Sequence, residues 1–135
     1  MPRKDIYHDT VKNALIKDGW TITHDPLTLS FGDKDIYIDI GAEQPIGADK
    51  DGKKIAVEVK SFVGKSDVDD LEKAIGQYIV YQDVLLEIEP ERMLYMAVPE
   101  ITFEGIFSGR LGQLIIKRQK LKLIVFNPSK EAILQ

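Results

Sequence analysis

The clearest pattern in the chain is the alternation of apolar and other residues between positions 36 and 48. Apolar side chains occupy the even positions with one exception, Gln44, whereas the odd positions hold mainly polar residues, glycine or proline. A period of two is typical of a β-strand with one apolar face. Asp51-Gly52 follows, a pair favoured in two-residue hairpin turns, and a second stretch, KIAVEVKS, begins at Lys54. The sequence therefore predicts an antiparallel hairpin that turns at Asp51-Gly52.

Helical and extended patterns alternate along the rest of the chain. Apolar spacing near 3.6 predicts helices, and short apolar runs between turn signals predict strands. The predicted helices cover 5–18, 66–89 and a segment around 111–115, and the predicted strands cover 20–23, 36–48, 54–61, 92–98 and 121–126, with a further extended segment at 27–31. This order predicts an α/β (α+β) fold, αβββαβ plus a C-terminal helix and strand, in one domain over residues 1–135.

The long helix in the middle of the chain has recognisable ends. Ser66 with Asp69 three residues later resembles a capping box, and Pro90 ends the helix near Glu89. Its apolar residues are expected to point inward. They are Val68, Leu71, Ala74, Ile75, Tyr78 and Leu85.

A turn at Asp51-Gly52 also decides which residues face one another across the hairpin. The pairs would be Ile55 with Ala48, Val57 with Ile46, Val59 with Gln44, Glu58 with Pro45 and Lys60 with Glu43. The apolar faces then coincide. The opposite face gathers Asp39, Glu43, Glu58 and Lys60.

Three carboxylates on one small surface are unfavourable without compensation. Two carboxylates about 4 to 5 Å apart repel by roughly 3 to 4 kcal/mol at an effective dielectric near 20. Mg²⁺ or Mn²⁺ would remove that cost, and Lys60 could position or deprotonate a water for attack on phosphorus. Asp39, Glu43 and Glu58 are thus the candidate metal ligands, with either Asp39 or Glu43 as the first. The alternative is an exposed face on which Glu43 and Lys60 form a cross-strand pair worth roughly 0.2 to 1 kcal/mol.

Composition narrows the class of protein. The chain of 135 residues is 44% hydrophobic and 30% charged, and it lacks cysteine, so disulfides and thiolate metal sites are excluded. With two histidines, a zinc centre would have to use carboxylates. We see no signal peptide at the start and no apolar stretch of roughly 18 residues, so we expect a cytoplasmic protein without a membrane segment.

The charge is distributed unevenly. The formal net charge is -4, yet from Gly109 onward six basic residues stand against Glu131 alone, whereas the first 108 residues hold 12 basic and 21 acidic groups. A basic end on an acidic body predicts either a local patch for phosphates or an ordinary solvated surface.

The order of acid, hairpin and Glu-x-Lys between two helices resembles the PD-(D/E)xK nuclease superfamily, which has the restriction-endonuclease-like fold. Here Ile38 rather than proline precedes Asp39. Gln77 and Tyr81 look like the Q-x-x-x-Y motif of RecB-like nucleases, and the resemblance implies that they face the site and contact DNA. Asp9, or Asp5, occupies the place where many members carry an acid near the metal.

A resemblance over nearly the whole chain is more specific. The segments GWTITHDPL, IDIGAE, KIAVEVKSF, AIGQYIVY and RMLYMAVP are similar, in that order, to the XisH family, the fdxN-element excision controlling factor proteins of cyanobacteria. This implies a restriction-endonuclease-like fold and a role in controlled excision of a DNA element. It also implies a site-specific recombinase and a small XisI-like protein as partners.

Two functions follow as hypotheses. The first is a Mg²⁺-dependent DNA endonuclease in which Asp39 (or Glu43) and Glu58 hold the metal, Lys60 prepares the water, and Gln77 and Tyr81 place the strand. The second is a non-catalytic accessory factor with a nuclease fold that binds a XisI-like partner or a recombinase, which the acidic body favours. The oligomeric state stays open, and a homo-oligomer is compatible with both. A small-molecule enzyme has no support, because Gly-rich phosphate loops, a Ser-His-Asp pattern and a nucleophile elbow are absent.

Overall fold

The computed structural model describes residues 4–46 and 49–134. Its helices are α1 (His8–Lys17), α2 (Asp67–Ile88), α3 (Glu100–Glu104) and α4 (Arg110–Gln119). Its strands are β1 (Thr21–His24), β2 (Leu27–Phe31), β3 (Lys34–Ile38), β4 (Ile40–Ile46), β5 (Asp49–Val59), β6 (Arg92–Pro99), β7 (Leu123–Asn127) and β8 (Ala132–Ile133).

Six strands form a mixed sheet in the order β1-β4-β5-β6-β7-β8, and β2 pairs with β3 in a separate two-stranded ribbon. The β5–β6 and β6–β7 pairs are parallel, and the others are antiparallel. Parallel neighbours need a crossover, which α2 supplies between β5 and β6 and α3 with α4 supply between β6 and β7. The predicted mixture of helices and a mixed sheet is therefore confirmed.

The sheet carries a core on each face. One core lies under α2 and includes Ala56, Leu71, Leu94, Met96 and Phe107 among its buried residues. The other lies under α1 and is built from residues of α1, β4, β5, β6 and β7. The buried residues of this second core are Val11, Leu15, Ile40, Ala42, Ile55, Val57, Val59, Ala97, Ile124 and Phe126.

The strand predicted over 36–48 is interrupted at Asp39, where β3 ends and β4 begins. Ile38 is buried in the core under α2, whereas Ile40 is buried in the core under α1. The period of two is present, but its apolar residues do not share one face. The reason is that the chain passes at Asp39 from the small ribbon into the large sheet.

The predicted turn at Asp51-Gly52 is wrong, because both residues lie within β5. Glu43 pairs with Lys54 and Gln44 pairs with Lys53, so the register differs by six positions from the predicted one. Gly52 has a different function: a Cβ there would lie 2.8 Å from Pro45 Cα and would overlap the Gln44 carbonyl. The glycine thus permits close approach of two backbones beside a register shift. Positions 47 and 48, which include the predicted pairing partner Ala48, lie outside the described residues.

The helix predictions are largely confirmed. The Ser66 hydroxyl accepts a hydrogen bond from Asp69 N (3.2 Å), and α2 ends before Pro90 with Glu89 as its last flanking residue. Val68, which was expected to point inward, is instead exposed. The α4 helix is present, but Leu111 and Leu114 lie on its exposed side. The short elements α3 and β8 were not predicted, because five and two residues give too little periodicity to detect.

None of the described helices is long and apolar enough to cross a membrane.

Gly112 is the point at which α4 meets the rest of the fold. A Cβ at this position would overlap the Ile106 carbonyl oxygen and would lie 2.5 Å from Phe107 Cα. We expect Gly112→Ala to lower the free energy of unfolding by about 2 to 4 kcal/mol, because backbone atoms cannot yield as a side chain would. Urea denaturation checks this.

Gly76→Ala is the matched control, because nothing lies within 4 Å of a Cβ there. In α2 this change should be stabilising by roughly 0.5 to 1 kcal/mol through helix propensity alone. Equal effects of the two substitutions would contradict the close packing of α4.

Candidate active site

Asp39 and Glu58 are held together by reciprocal hydrogen bonds to backbone. The Asp39 amide donates to Glu58 Oε1 (3.1 Å), and the Val59 amide donates to Asp39 Oδ2 (2.7 Å). This follows from the antiparallel register. Ile40 pairs with Val57, so the preceding residue, Asp39, lies opposite the following residue, Glu58. The two carboxylates are thus neighbours because β4 begins where β5 ends.

Lys60 lies beside this pair. Its Nζ is 3.4 Å from Glu58 Oε2, and its backbone amide donates to Ala97 O (2.9 Å), which extends the parallel pairing beyond the last residue of β5. The lysine side chain is largely but not wholly covered. The Lys60 side chain is therefore the more exposed member of this ion pair, and the Glu58 carboxylate is the more buried one.

Burial dominates the electrostatics of the two acids. Loss of solvent, followed by the nearby Asp39 charge, raises the pKa of Glu58 to about 8, although Lys60 opposes the change. Burial also raises the pKa of Asp39, and the hydrogen bond from the Val59 amide opposes it. It is unfavourable for two buried carboxylates to carry negative charge at the same time. Such a pair therefore favours the binding of a proton or a cation.

A pocket of about 350 Å³ opens at this cluster. It is lined by Lys4, Asp5, Ile6, Tyr37, Asp39, Glu58, Val59, Lys60, Ser61, Val63, Gln77 and Tyr81. Gln77 and Tyr81, four residues apart on α2, therefore reach the same pocket as the acids and the lysine. Burial, and then the charges of Glu58 and Asp39, raise the pKa of Tyr81 to about 12, so its hydroxyl keeps its proton.

Glu43 does not join this cluster. It pairs with Lys54, four residues from Glu58 along β5 and thus roughly 13 Å away along the strand. The predicted pairing of Lys60 with Glu43 is therefore wrong, and Lys60 instead lies beside Glu58. The cause is the register, which brings Glu43 to a different level of the hairpin.

Of the two acids considered in the first helix, Asp5 lines the pocket and Asp9 does not. Both Asp5 oxygens already accept backbone hydrogen bonds, from Tyr7 N (2.9 Å) and from Ser61 N (3.0 Å). Asp5 thus ties the chain before α1 to the residue that follows Lys60.

The two histidines lie apart from this pocket. His8 is buried and its Nε2 is 2.7 Å from Asp25 Oδ1, and Lys12 Nζ is 2.7 Å from Asp25 Oδ2. His24 Nδ1 lies 2.9 Å from Thr23 Oγ1. Neither ring lines the pocket of Asp39 and Glu58.

The donor set fits an oxygen-seeking cation that retains other ligands. Within residues 4–46 and 49–134, no group of three or more His, Asp or Glu side chains is arranged to hold a metal ion. Asp39 and Glu58 supply two carboxylates, which is the number that Mg²⁺ commonly takes from protein beside water and phosphate. A closed zinc site would need more ligands.

Tyr37, Lys4 and Ser61 line the pocket but were not predicted as site residues. Tyr37 stands on the ribbon strand β3, and no spacing relates it to α2. Ser61 could have been predicted near the site, because it follows Lys60 directly in the sequence.

A family model described as XisH protein matches residues 1–134. The search of curated proteins found no match. Among solved structures, an XisH family protein from Nostoc punctiforme is similar with 40% identity and a TM-score of 0.88, covering 97% of this chain and 98% of that one. A fdxN element excision controlling factor protein from Anabaena variabilis is similar with 41% identity and a TM-score of 0.87, covering 98% of each chain.

The raised pKa of Glu58 makes a prediction about stability. In the unfolded chain the Glu58 carboxyl has an ordinary pKa of 4.5, so it loses its proton at a lower pH than in the folded protein. The stability from this proton is complete below about pH 4.5 and is lost as the pH rises to about 8. We expect Glu58→Gln to unfold like wild type near pH 5, and to be more stable on the order of 2 kcal/mol near pH 9.

Urea denaturation of both proteins across this pH range measures the difference. Parallel stability curves for wild type and Glu58→Gln would contradict the burial of an ionisable carboxyl at position 58.

Proposed function

The chain belongs to the XisH family, and on this premise we propose that it is a metal-dependent DNA nuclease acting in the controlled excision of a DNA element. One relative is described as a fdxN element excision controlling factor, and excision requires broken phosphodiester bonds. The observation that carries the proposal is the cluster of Asp39, Glu58 and Lys60 at one end of two paired strands. The same cluster is the basis for assigning a restriction-endonuclease-like core of the PD-(D/E)xK type.

Each residue of the cluster has a role in hydrolysis. Mg²⁺ or Mn²⁺, when bound, supplies charge neutralisation at the phosphate and makes water more acidic. Asp39 and Glu58 would hold the ion through their carboxylate oxygens. Lys60 would orient the attacking water and offset the charge that develops on phosphorus. Water adds to phosphorus, one P–O bond breaks, and the departing oxygen takes up a proton.

Gln77 and Tyr81 would place the DNA strand. Both line the pocket from α2, and Tyr81 keeps its hydroxyl proton because burial, followed by the charges of Glu58 and Asp39, raises its pKa to about 12. A neutral phenol and a carboxamide can donate hydrogen bonds to phosphate oxygens or bases. They add no negative charge to the path of an anionic strand.

A second candidate is a non-catalytic accessory factor that binds a XisI-like protein or a recombinase. The distribution of charge favours it. The basic residues from Arg110 onward contribute nothing to the described pocket, and the rest of the chain is acidic. A nuclease that acts alone usually presents a broader basic surface to DNA.

Metal titration tests the ligand assignment. We expect calorimetry with Mn²⁺ to give a single site in wild-type protein and at least about 10-fold weaker binding in Glu58→Gln, because one of two carboxylate ligands is lost. Glu43→Gln is the matched control and should bind like wild type, because Glu43 lies outside the cluster. Equal binding by wild type and Glu58→Gln would rule out this metal site.

Cleavage assays test the reaction. We expect Mg²⁺- or Mn²⁺-dependent nicking of DNA that falls at least about 100-fold in Glu58→Gln and in Lys60→Met, while Glu43→Gln retains activity. Supercoiled, linear, single-stranded and branched DNA should all be offered, because the pocket alone does not select among them.

Inactive wild-type protein on all four DNA forms would contradict the nuclease. A stable complex with a XisI-like protein that survives Glu58→Gln and Lys60→Met would then favour the accessory factor.

A further inference from the structure

The three most exposed large hydrophobic residues of the described chain line two adjoining pockets. They are Ile101 (79% exposed), Ile6 (68%) and Val63 (68%). Val63 lies between β5 and α2 and lines the candidate active site together with Ile6. It also lines an adjoining groove together with Ile101. Val63 therefore lies between Ile6, on the side of the site, and Ile101, on the side of the groove.

The adjoining groove has the character of a docking surface. Its volume is about 270 Å³, and it is lined largely by apolar side chains, among them Tyr7, Phe62, Pro99 and Ile106. Contiguous apolar surface of this kind commonly marks an interface. We call it the Val63 groove, and Ile101 and Phe62 line it together with Val63.

Negative charge borders the Val63 groove. Asp67 is the one charged residue that lines it. The first turn of α2 carries Asp67, Asp69 and Asp70, and α3 carries Glu100 and Glu104. An occupant should therefore present aliphatic side chains flanked by basic residues.

The chain itself carries such a segment on α4. Leu111 and Leu114 are 44% and 48% exposed. At about 100° per residue, Arg110, Leu111, Leu114, Lys117 and Arg118 fall within an arc of about 120°. All five are exposed. The outer face of α4 is thus an apolar stripe with a basic border.

We propose that α4 of a second copy of this chain docks in the Val63 groove. Leu111 and Leu114 would cover Val63 and Ile101, and Arg110, Lys117 and Arg118 would face the acidic residues at the ends of α2 and α3. Aliphatic side chains meet aliphatic side chains, and opposite charges meet at the border. The contact is between two different surfaces, so copies join as a two-fold dimer with two such contacts or as a head-to-tail chain.

This docking would also supply the active site with positive charge. No described residue after Tyr81 lines the pocket, so α4 of the same copy does not reach it. Val63 lines both the pocket and the groove, so a second copy's α4 would stand at the pocket entrance. Its lysine and arginines would then assist phosphate binding. This consequence rests on the proposed function, whereas the association itself does not.

Sedimentation without DNA or metal tests the association. We expect wild-type protein at about 100 µM to reach at least twice the 15.3 kDa mass of one chain. The double variant Val63→Asp/Ile101→Asp should stay monomeric, and so should Leu111→Asp/Leu114→Asp. All four substituted side chains are exposed, and circular dichroism should show wild-type folding.

Mixing the two double variants is the decisive arm. One retains an intact α4 stripe and the other an intact Val63 groove, so an equimolar mixture should form heterodimers. Val80→Asp/Leu86→Asp is the matched control, because these exposed residues lie on α2 away from the groove, and it should associate like wild type.

Wild-type protein that stays monomeric would overturn the proposal, and so would a groove variant that associates normally or a mixture that stays monomeric. Because no cleavage is measured, these outcomes leave the nuclease proposal to its own assays.

Discussion

Two carboxylates, Asp39 and Glu58, are tied to each other's strand at the point where the chain leaves the β2–β3 ribbon for the large sheet. Each accepts a backbone N–H, from Val59 and from Asp39 respectively, so neither acid can move without breaking strand-end geometry. Burying two such groups costs free energy, and the raised pKa values of both express that cost. A fold that retains this cost at one place is consistent with a functional use of the cluster.

Residues from other parts of the chain complete the candidate site around Asp39 and Glu58. Lys60 stands two positions after Glu58, and Asp5 accepts a hydrogen bond from the amide of Ser61, so the position of the lysine depends on the segment before α1. Gln77 and Tyr81 approach from α2, and the core under α2 fixes that helix through Leu71, Tyr78 and Leu85. The site therefore lies where three separate parts of the chain meet, and packing rather than any single loop sets its geometry.

Charge distribution links the candidate active site to the question of partners. The pocket contains two acids beside Lys60, and the chain's own basic helix α4 does not line it. An acidic protein that handles DNA needs positive charge from elsewhere, which a cation, a second copy or another protein can supply. The exposed apolar residues Ile6 and Val63 line the same pocket, and Val63 also lines the adjoining groove together with Ile101. The proposed catalysis and the proposed association are compatible with each other, because the surfaces they would use are adjacent.

The sequence by itself determined the residue types and most of the helices and strands, but not the turn between β4 and β5 or the break at Asp39. Helix α2 could be predicted because Ser66 and Pro90 mark its ends, and Gln77 and Tyr81 could be placed on one face because they stand four positions apart. The strand register could not be predicted from the sequence. A period of two is unchanged when a strand slips by an even number of positions, so the apolar pattern fits pairing of Glu58 near Pro45 as well as pairing beside Asp39. Only the tertiary structure placed Asp39 rather than Glu43 beside Glu58, because the break at Asp39 and the close approach at Gly52 depend on which sheet each strand joins. Burial on α4 was decided in the same way: contact with Ile106 and Phe107 buries Gly112 and leaves Leu111 and Leu114 outside.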